Sequence, residues 1–340
     1  MRKRVWITAL VGIGLAVVST VLAALLAWNA LQRPLPIPAD GTWLEVPSGA
    51  SLKRVSSDLA QRGFLPHPKL LTAYARLTGV ATRVQAGEYQ LTTGTTSLTL
   101  LAKLVAGQVY LHQVTIVEGW RFSDLLAALR SNPAIVPSSL SGAEIMTALG
   151  EPGVHPEGQF FPDTYSFPRG TAEIDVLRTA HAALRERLAK AWEHRSAAVR
   201  LETPYQALIL ASIIEKETAL PSERRLISGV FHQRLQRNMR LQTDPTVIYG
   251  LGDAFDGNLR RRDLAHDTPY NTYTRFGLPP TPIALPGGDS IEAAVNPEIT
   301  DAVYFVATGR GDGSHVFSAT LEEHERAVQQ YLKQLRAPAE

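Results

Sequence analysis

Residues 5–28 form an uncharged run of 24 positions, rich in Leu, Val and Ala. As a helix this run reaches about 36 Å, at about 1.5 Å per residue, enough to cross a bilayer core of about 30 Å with some tilt. It predicts a transmembrane helix over 5–28, with residues 1–4 on one side of the membrane and the body of the chain on the other. A cleaved signal peptide is the competing reading. Its apolar region is about 7–15 residues long, however, and no A-x-A-like site closes this one, so the length favours an uncleaved anchor. Arg2, Lys3 and Arg4 precede the run and only Arg33 follows closely. The excess of positive charge on the cytoplasmic side then makes residues 1–4 cytoplasmic and everything from residue 29 extracytoplasmic, as in a single-pass protein of the inner (cytoplasmic) membrane. Trp28 would lie at the outer interface, and residues 29–40, with Pro34, Pro36 and Pro38, read as a short stiff linker.

The 340 residues are 45% hydrophobic and 19% charged, so they can bury a sizeable core, and disordered or collagen-like classes are excluded. There is no cysteine, hence no disulfide, thiol nucleophile or zinc–thiolate site. The nine histidines never fall at H-x-x-x-H spacing, and neither a metal nor another cofactor is expected. Setting aside Arg2, Lys3 and Arg4, the 34 basic residues become 31, against 32 acidic ones. A body so close to neutral lacks the basic footprint of a nucleic-acid binder.

Three stretches in the first half share a strand, glycine turn and short helix: Val46-Pro47-Ser48-Gly49, Leu91-Thr92-Thr93-Gly94 and Ile116-Val117-Glu118-Gly119, each before a helix-period segment. The apolar stripes are Leu52, Val55 and Leu59, then Leu98, Leu101 and Leu104, then Phe122, Leu125, Leu126 and Leu129, with Gly63 and Gly107 as stops. Residues 41–148 are therefore read as a βαβ-type region, similar to LysM-like domains that bind the N-acetylhexosamine chains of peptidoglycan or chitin. A spacer domain without a sugar site fits the same residues.

The chemistry is expected in residues 149–338. The loop Gly158-Gln159-Phe160-Phe161-Pro162-Asp163-Thr164-Tyr165 has aromatic rings that either stack on sugars or plug a core edge. Thr203, Pro204 and Gln206 mark a helix start as N-cap, first helical residue and capping-box partner. The helix continues through Ile214, apolar nearly all round, and then reads Glu215-Lys216-Glu217. Glu215 lies four and seven residues after Ala211 and Leu208 and so continues a buried stripe, whereas Glu217 is turned away. A partly desolvated carboxylic acid there suits protonation of a glycosidic oxygen. An ion pair with Lys216 or with an arginine of the next helix, expected to start at Ser222, is the alternative. Two later segments are dense in hydroxyl, amide and aromatic groups, a lining that suits a carbohydrate: residues 239–250 and residues 270–283.

Together, Ala211-Ser212-Ile213-Ile214-Glu215-Lys216-Glu217-Thr218, Arg240-Leu241-Gln242-Thr243-Asp244-Pro245-Thr246-Val247-Ile248-Tyr249-Gly250, Tyr270-Asn271-Thr272-Tyr273 and Gly277-Leu278-Pro279-Pro280 resemble the YceG-like endolytic murein transglycosylase family. The resemblance implies an α+β catalytic domain without a cofactor that cleaves the bond between N-acetylmuramic acid and N-acetylglucosamine in peptidoglycan glycan strands. It also implies Glu215 as the catalytic acid, 1,6-anhydromuramyl ends as product, an end to strand elongation, and penicillin-binding synthases as neighbours. Glu223, Asp244 and Asp163 are candidate second carboxylates, with Glu223 ranked first. Glu223, Gln242, Thr243, Asp244, Tyr249, Asn271 and Tyr273 are assigned to positioning of sugar and acid, while several could be turn chemistry. A muramidase that uses water on the same bond, or a non-enzymatic peptidoglycan-binding scaffold for a synthase, are the rival functions. The tail reads as two strands, residues 304–307 and 315–318, about a glycine turn, then a helix capped by Thr320 and Glu323.

Overall fold

The structure, a computed structural model, describes residues 2–336. Met1 and residues 337–340, which the expected boundaries 1–4 and 149–338 include, lie outside the described residues. The chain is a mixture of helices and short strands and divides into two compact units. The first comprises Met1–His112 with Phe167–Arg169, and the second Gln113–Ser166 with Gly170–Glu340. The division thus comes well ahead of residue 149: residues 113–148 belong with the second unit.

In the first unit α1 (Arg2–Gln32) leads into β1 (Thr42–Val46), α2 (Leu52–Gln61), α3 (Pro68–Leu77), β2 (Gly87–Leu91) and α4 (Ser97–Ala106). The segment Leu10–Gln32 of α1 is long and apolar enough to cross a membrane. Its side chains Leu10, Ile13, Leu15, Val18, Leu22 and Leu26 are all more than half exposed, apolar surface for which a bilayer is the fitting solvent. The helix runs past residue 28, and the expected linker is not a free spacer. Leu31, Leu35 and Ile37 are buried in the core of the unit, and the Leu35 amide donates to the Thr95 carbonyl at 2.8 Å. Apolar side chains spaced between the prolines take the segment out of water, which outweighs the stiffness that proline alone would confer.

The repeated strand–turn–helix pattern is present. Leu52, Val55 and Leu59 of α2 and Leu101 and Leu104 of α4 are buried, and Gly63 and Gly107 take the left-handed conformation at the helix ends, with φ of 80° and 64°. The order is nevertheless β-α-α-β. α3, opened by Pro68 at its first turn, returns the chain so that β1 and β2 pair antiparallel, from Thr42↔Leu91 to Val46↔Gly87. A βαβ crossover would have made them parallel. The extra helix also accounts for the unequal spacing of the first two repeats.

The second unit contains β3 (Leu111–Thr115, shared at its start with the first unit), α5 (Phe122–Ser131), β4 (Ile135–Val136), α6 (Gly142–Ala148), β5 (Thr164–Pro168, shared at its end with the first unit), β6 (Thr171–Ala172) and α7 (Glu173–Glu193). It continues with α8 (Pro204–Glu217), α9 (Arg224–Gln236), α10 (Asp244–Leu251), α11 (Arg261–Ala265), α12 (Gly288–Val295), β7 (Tyr304–Ala307), β8 (His315–Ser318) and α13 (Leu321–Arg336). Every residue of α8 from Ala207 to Ile214 is buried, as a helix apolar all round must be. α7, α9 and α12 pack on it. The Thr203 hydroxyl accepts from the Gln206 amide at 3.2 Å, while the Gln206 side chain reaches one residue further back, to the Glu202 amide at 2.7 Å.

Ser222 does not cap α9. Residues Pro221–Glu223 form a single 3-10 turn, and the α-helix begins at Arg224. Phe160 and Phe161 are 0% and 5% exposed, so the loop aromatics fill the core and do not stack on sugar. β7 and β8 pair antiparallel from Tyr304↔Ser318 to Ala307↔His315, and Thr320 and Glu323 exchange capping bonds ahead of α13.

Candidate active site

Glu215 stands in the last turn of α8 with its side chain 7% exposed. The stripe it continues includes Ser212, three residues earlier, whose hydroxyl accepts from the Ile283 amide at 3.0 Å and draws the loop before α12 onto α8. That loop delivers the first turn of α12 to the carboxylate. Glu215 Oε2 accepts from the Gly287 amide at 3.0 Å and from the Ser290 hydroxyl at 2.7 Å. An anion at the N-terminal end of a helix meets the positive end of the helix dipole and an unpaired amide together. On its other side Oε1 lies 3.7 Å from Arg224 Nη2, and Arg224 Nη1 donates to Asp289 Oδ2 at 3.2 Å. Arg224 is 8% exposed, and its Nε has no acceptor among the described residues. The ion pair with an arginine of the next helix, one of the two readings open from sequence, is therefore present.

A second carboxylate comes from the loop between β3 and α5. Glu118 is exposed and approaches so closely that a Cβ on Gly287 would overlap its carboxyl group. Partial desolvation of this otherwise exposed carboxyl and the neighbouring Glu215 charge push Glu118 above its ordinary value, against the pull of Arg224. The next residue, Gly119, is at φ +76°, and a Cβ there would stand 3.7 Å from Lys216 and 3.9 Å from Glu215 Cγ. The Gly119 amide donates to the Leu285 carbonyl, and its own carbonyl accepts from Lys216 Nζ at 3.2 Å. Glu118, Arg224, Gly287 and Ser290 were not singled out from the sequence. The one signal pointing to the last two is Gly287-Gly288 at a helix start, where absent side chains let a backbone amide close on another group.

The remaining expected residues gather elsewhere in the unit. The Thr243 hydroxyl donates to Glu217, Thr243 N donates to the Thr272 hydroxyl at 3.0 Å, and Tyr273 OH donates to Asp244 Oδ1 at 2.6 Å. The centre of this network is Glu217, whose carboxyl burial pushes up to about 7. Gln242 is exposed at φ 50°, with its amide on the Thr272 carbonyl at 3.1 Å. Asn271 is fully buried, and its side-chain amide bonds the carbonyls of Leu264 and His266 at 3.0 and 2.7 Å, closing α11. Its polar atoms are thus spent within the chain. Glu223 accepts from His315 N and Nδ1 at 2.9 and 2.7 Å, and so anchors β8. Asp163 is likewise occupied locally, with the Thr164 amide on its Oδ1. The hydrogen bonds of Glu215 include none of these residues.

Tyr249 meets a third buried acid. Its hydroxyl donates to Glu157 Oε2 at 3.1 Å, and Oε1 accepts from the Phe122 amide at 2.9 Å. Glu157 is 4% exposed, and burial pushes its carboxyl from 4.5 to about 7. The unfolded chain ionises this group near 4.5, so its contribution to stability is fully present below that pH and is lost as pH rises to about 7. The ceiling is about 3 kcal/mol. Glu157→Gln, which mimics the protonated acid, is expected to flatten this part of the profile. Melting curves at pH 5 and 8 would show a smaller fall for the variant than for the wild type, and equal falls would refute the assignment.

The YceG-like family profile matches residues 44–330. A Bacillus subtilis (strain 168) protein named endolytic murein transglycosylase is 32% identical over 308 residues, covering 85% of this chain and 84% of that protein. A protein of the same name from Streptococcus pneumoniae serotype 2 (strain D39) is 26% identical, covering 89% of this chain and 61% of the longer relative. A crystal structure of a yceG-like protein from Listeria monocytogenes, 28% identical, superposes with a TM-score of 0.51, over 85% of this chain and 99% of that one. The match reaches from β1 into α13 and takes in both the buried acid of α8 and the loop bearing Glu118, so this chain belongs to the YceG-like family.

Proposed function

We propose that this protein is an endolytic murein transglycosylase with Glu215 as its acid and base. The observation that carries the reading is the carboxyl group of Glu215, nearly enclosed yet held at one oxygen by the Gly287 amide and the Ser290 hydroxyl. Protonated, Glu215 gives its proton to the glycosidic oxygen between N-acetylmuramic acid and N-acetylglucosamine. As carboxylate it then takes the proton of the muramyl 6-hydroxyl while that oxygen closes on C1. The product is a 1,6-anhydromuramyl end and no water is consumed. The attacking group belongs to the substrate, so one carboxylate suffices, and the intramolecular step gains an effective molarity of about 10⁵ M or more.

α1 is the single-pass anchor, with its N-terminus in the cytoplasm. Support for an anchor over a detachable leader is that the end of the helix, at Leu31, is part of the first unit's core. The enzyme then cuts nascent strands close to the membrane and ends their elongation, with penicillin-binding synthases as neighbours. The first unit is a LysM-like murein-binding module. Its support is an acid-free groove of about 580 Å³ between α2 and α3, lined by Lys53, Lys69 and Arg76 among others.

The test is mass spectrometry of peptidoglycan digested by the full chain in detergent. Anhydromuramyl ends are expected. Reducing muramyl ends would mean hydrolysis, with Glu118, the carboxylate next to Glu215, as the group that activates water. No cleavage would favour the scaffold reading.

A further inference from the structure

A small cavity of about 170 Å³ is lined by Arg121, Lys216, Pro245, Ile248, Tyr249 and Ile283, so that one of its walls is the residue that follows Glu215. Two of its six walls are cations and none is an acid. Among the described residues Lys216 Nζ donates to the Gly119 carbonyl at 3.2 Å, and Arg121 Nη2 donates to the Ile248 carbonyl at 3.4 Å. Among the described residues neither forms an ion pair. The Arg121 guanidinium lies 5.3 Å from the centre of the Tyr249 ring, which Glu157 holds in place through the tyrosine hydroxyl. Glu157 acts on Arg121 through space, but its hydrogen bonds go to Tyr249 and the Phe122 amide, and among the described residues it makes no direct ion pair with the guanidinium. Pro245, Ile248 and Ile283 give the pocket an apolar wall, which strengthens a charge-assisted hydrogen bond relative to one in open water. Two cations facing one small cavity ask for an anion.

Resting on the transglycosylase reading, we propose that this pocket is a subsite for a carboxylate carried by the muramyl residue at the scissile bond. The cavity is smaller than the roughly 300 Å³ and more of a site for a whole small-molecule ligand, so it suits a substituent while the glycan chain lies outside it. In a murein strand N-acetylglucosamine is neutral, and only the muramyl residue bears an acidic substituent. That substituent is either its lactyl carboxylate, free where the peptide has been removed, or a carboxylate of the attached peptide. Lys216 follows Glu215 directly, and Gly119 lies against both side chains. Seating the acid here therefore places the muramyl sugar in register with Glu215. The two kinds of glycosidic bond alternate along the strand, and the pocket selects the one whose C1 belongs to the sugar with the carboxylate.

The test measures binding in the inert Glu215→Gln background, with and without Arg121→Gln or Lys216→Gln. The probes are soluble murein strands with peptides intact, strands stripped by an amidase, and neutral N-acetylglucosamine oligomers, all titrated with the full chain in detergent. Each pocket variant is expected to weaken binding of carboxylate-bearing strands roughly ten- to a hundredfold, the factor for a charge-assisted hydrogen bond, and to leave the neutral oligomer unchanged. A loss with intact strands alone assigns the pocket to a peptide carboxylate, a loss with stripped strands alone assigns it to the lactyl group, and a loss with both means that either carboxylate seats there. Melting temperatures check that each variant folds, and Lys216→Gln stands in should Arg121→Gln not fold. Equal affinities for all strands in wild type and variants overturn the proposal. If the protein with Glu215 intact makes no cut but the charge-selective binding is present, the transglycosylase reading fails and the subsite stands.

Discussion

Glu215→Gln is expected to lower the rate of glycan cleavage by about 10²–10⁴-fold, the span that a positioned general acid supplies. The substitution keeps the shape of the side chain and an oxygen for the Gly287 amide and Ser290 hydroxyl, so the fold should survive. What it removes is the exchangeable proton. The measurement is the yield of anhydromuramyl ends per unit time from purified peptidoglycan, with circular dichroism beside it. A variant that folds and cuts at the wild-type rate would remove Glu215 from the mechanism and with it the account given for a single carboxylate.

Arg224→Met should have the largest effect on stability. The guanidinium is 9% exposed in its side chain and faces Glu215, equally buried, at 3.7 Å, and Asp289 at 3.2 Å. Asp289 is 75% exposed, so water replaces most of what it loses, and its share is small. Glu215 has no such recourse. Removing one partner of a buried pair leaves the other charge uncompensated, at a cost of about 3–5 kcal/mol, and Glu118 close by adds a like charge. For a unit of this size the fall in melting temperature is roughly 6–15 °C. Calorimetry at neutral pH decides: a shift of a degree or less would mean that the Glu215 carboxylate is held adequately by Gly287 and Ser290 alone.

The experiments differ in what they separate. Glu215→Gln removes the proton and also leaves the buried Arg224 guanidinium with only the exposed Asp289 as counter-charge, so it should lower stability in part while suppressing cleavage, whereas Arg224→Met leaves the acid in place and tests the electrostatic cradle. A cut that fails in the second but not in the first would reverse the roles proposed for the two side chains.

Periodicity and caps made the local structure legible. An uncharged run too long for a globular surface marks α1, and three leucine-rich stripes behind glycine turns mark α2, α4 and α5. Thr203 and Pro204 locate the first turn of α8 and so place Glu215 at its far end, on the face that continues Leu208 and Ala211. These readings succeed because capping and burial act over three or four residues, within reach of a sequence window. α3 escaped the reading and with it the antiparallel pairing of β1 and β2. Residues 29–40 looked like a spacer because proline content is visible, whereas the partners that bury Leu35 and Ile37 are far along the chain.

The composition of the candidate site was the least legible part. Thr243, Asp244 and Tyr273 do form a cluster, but around Glu217, and Glu223 serves His315. Being near a carboxylate in sequence said nothing about which one they would meet, since a helix turns Glu215 and Glu217 to different sides. Glu118, Gly287 and Ser290, 97, 72 and 75 positions from Glu215 by residue number, converge on it only because the β3–α5 loop and the start of α12 both close over the last turn of α8. By itself the sequence determined the long apolar N-terminal helix, the helices α2, α4, α5 and α8, and the buried acid, all of which depend on hydrophobic spacing and local hydrogen bonds. The tertiary structure alone decided which cations, amides and second carboxylate surround that acid, because long-range contacts are chosen by packing of the whole unit and leave no periodic trace along the chain.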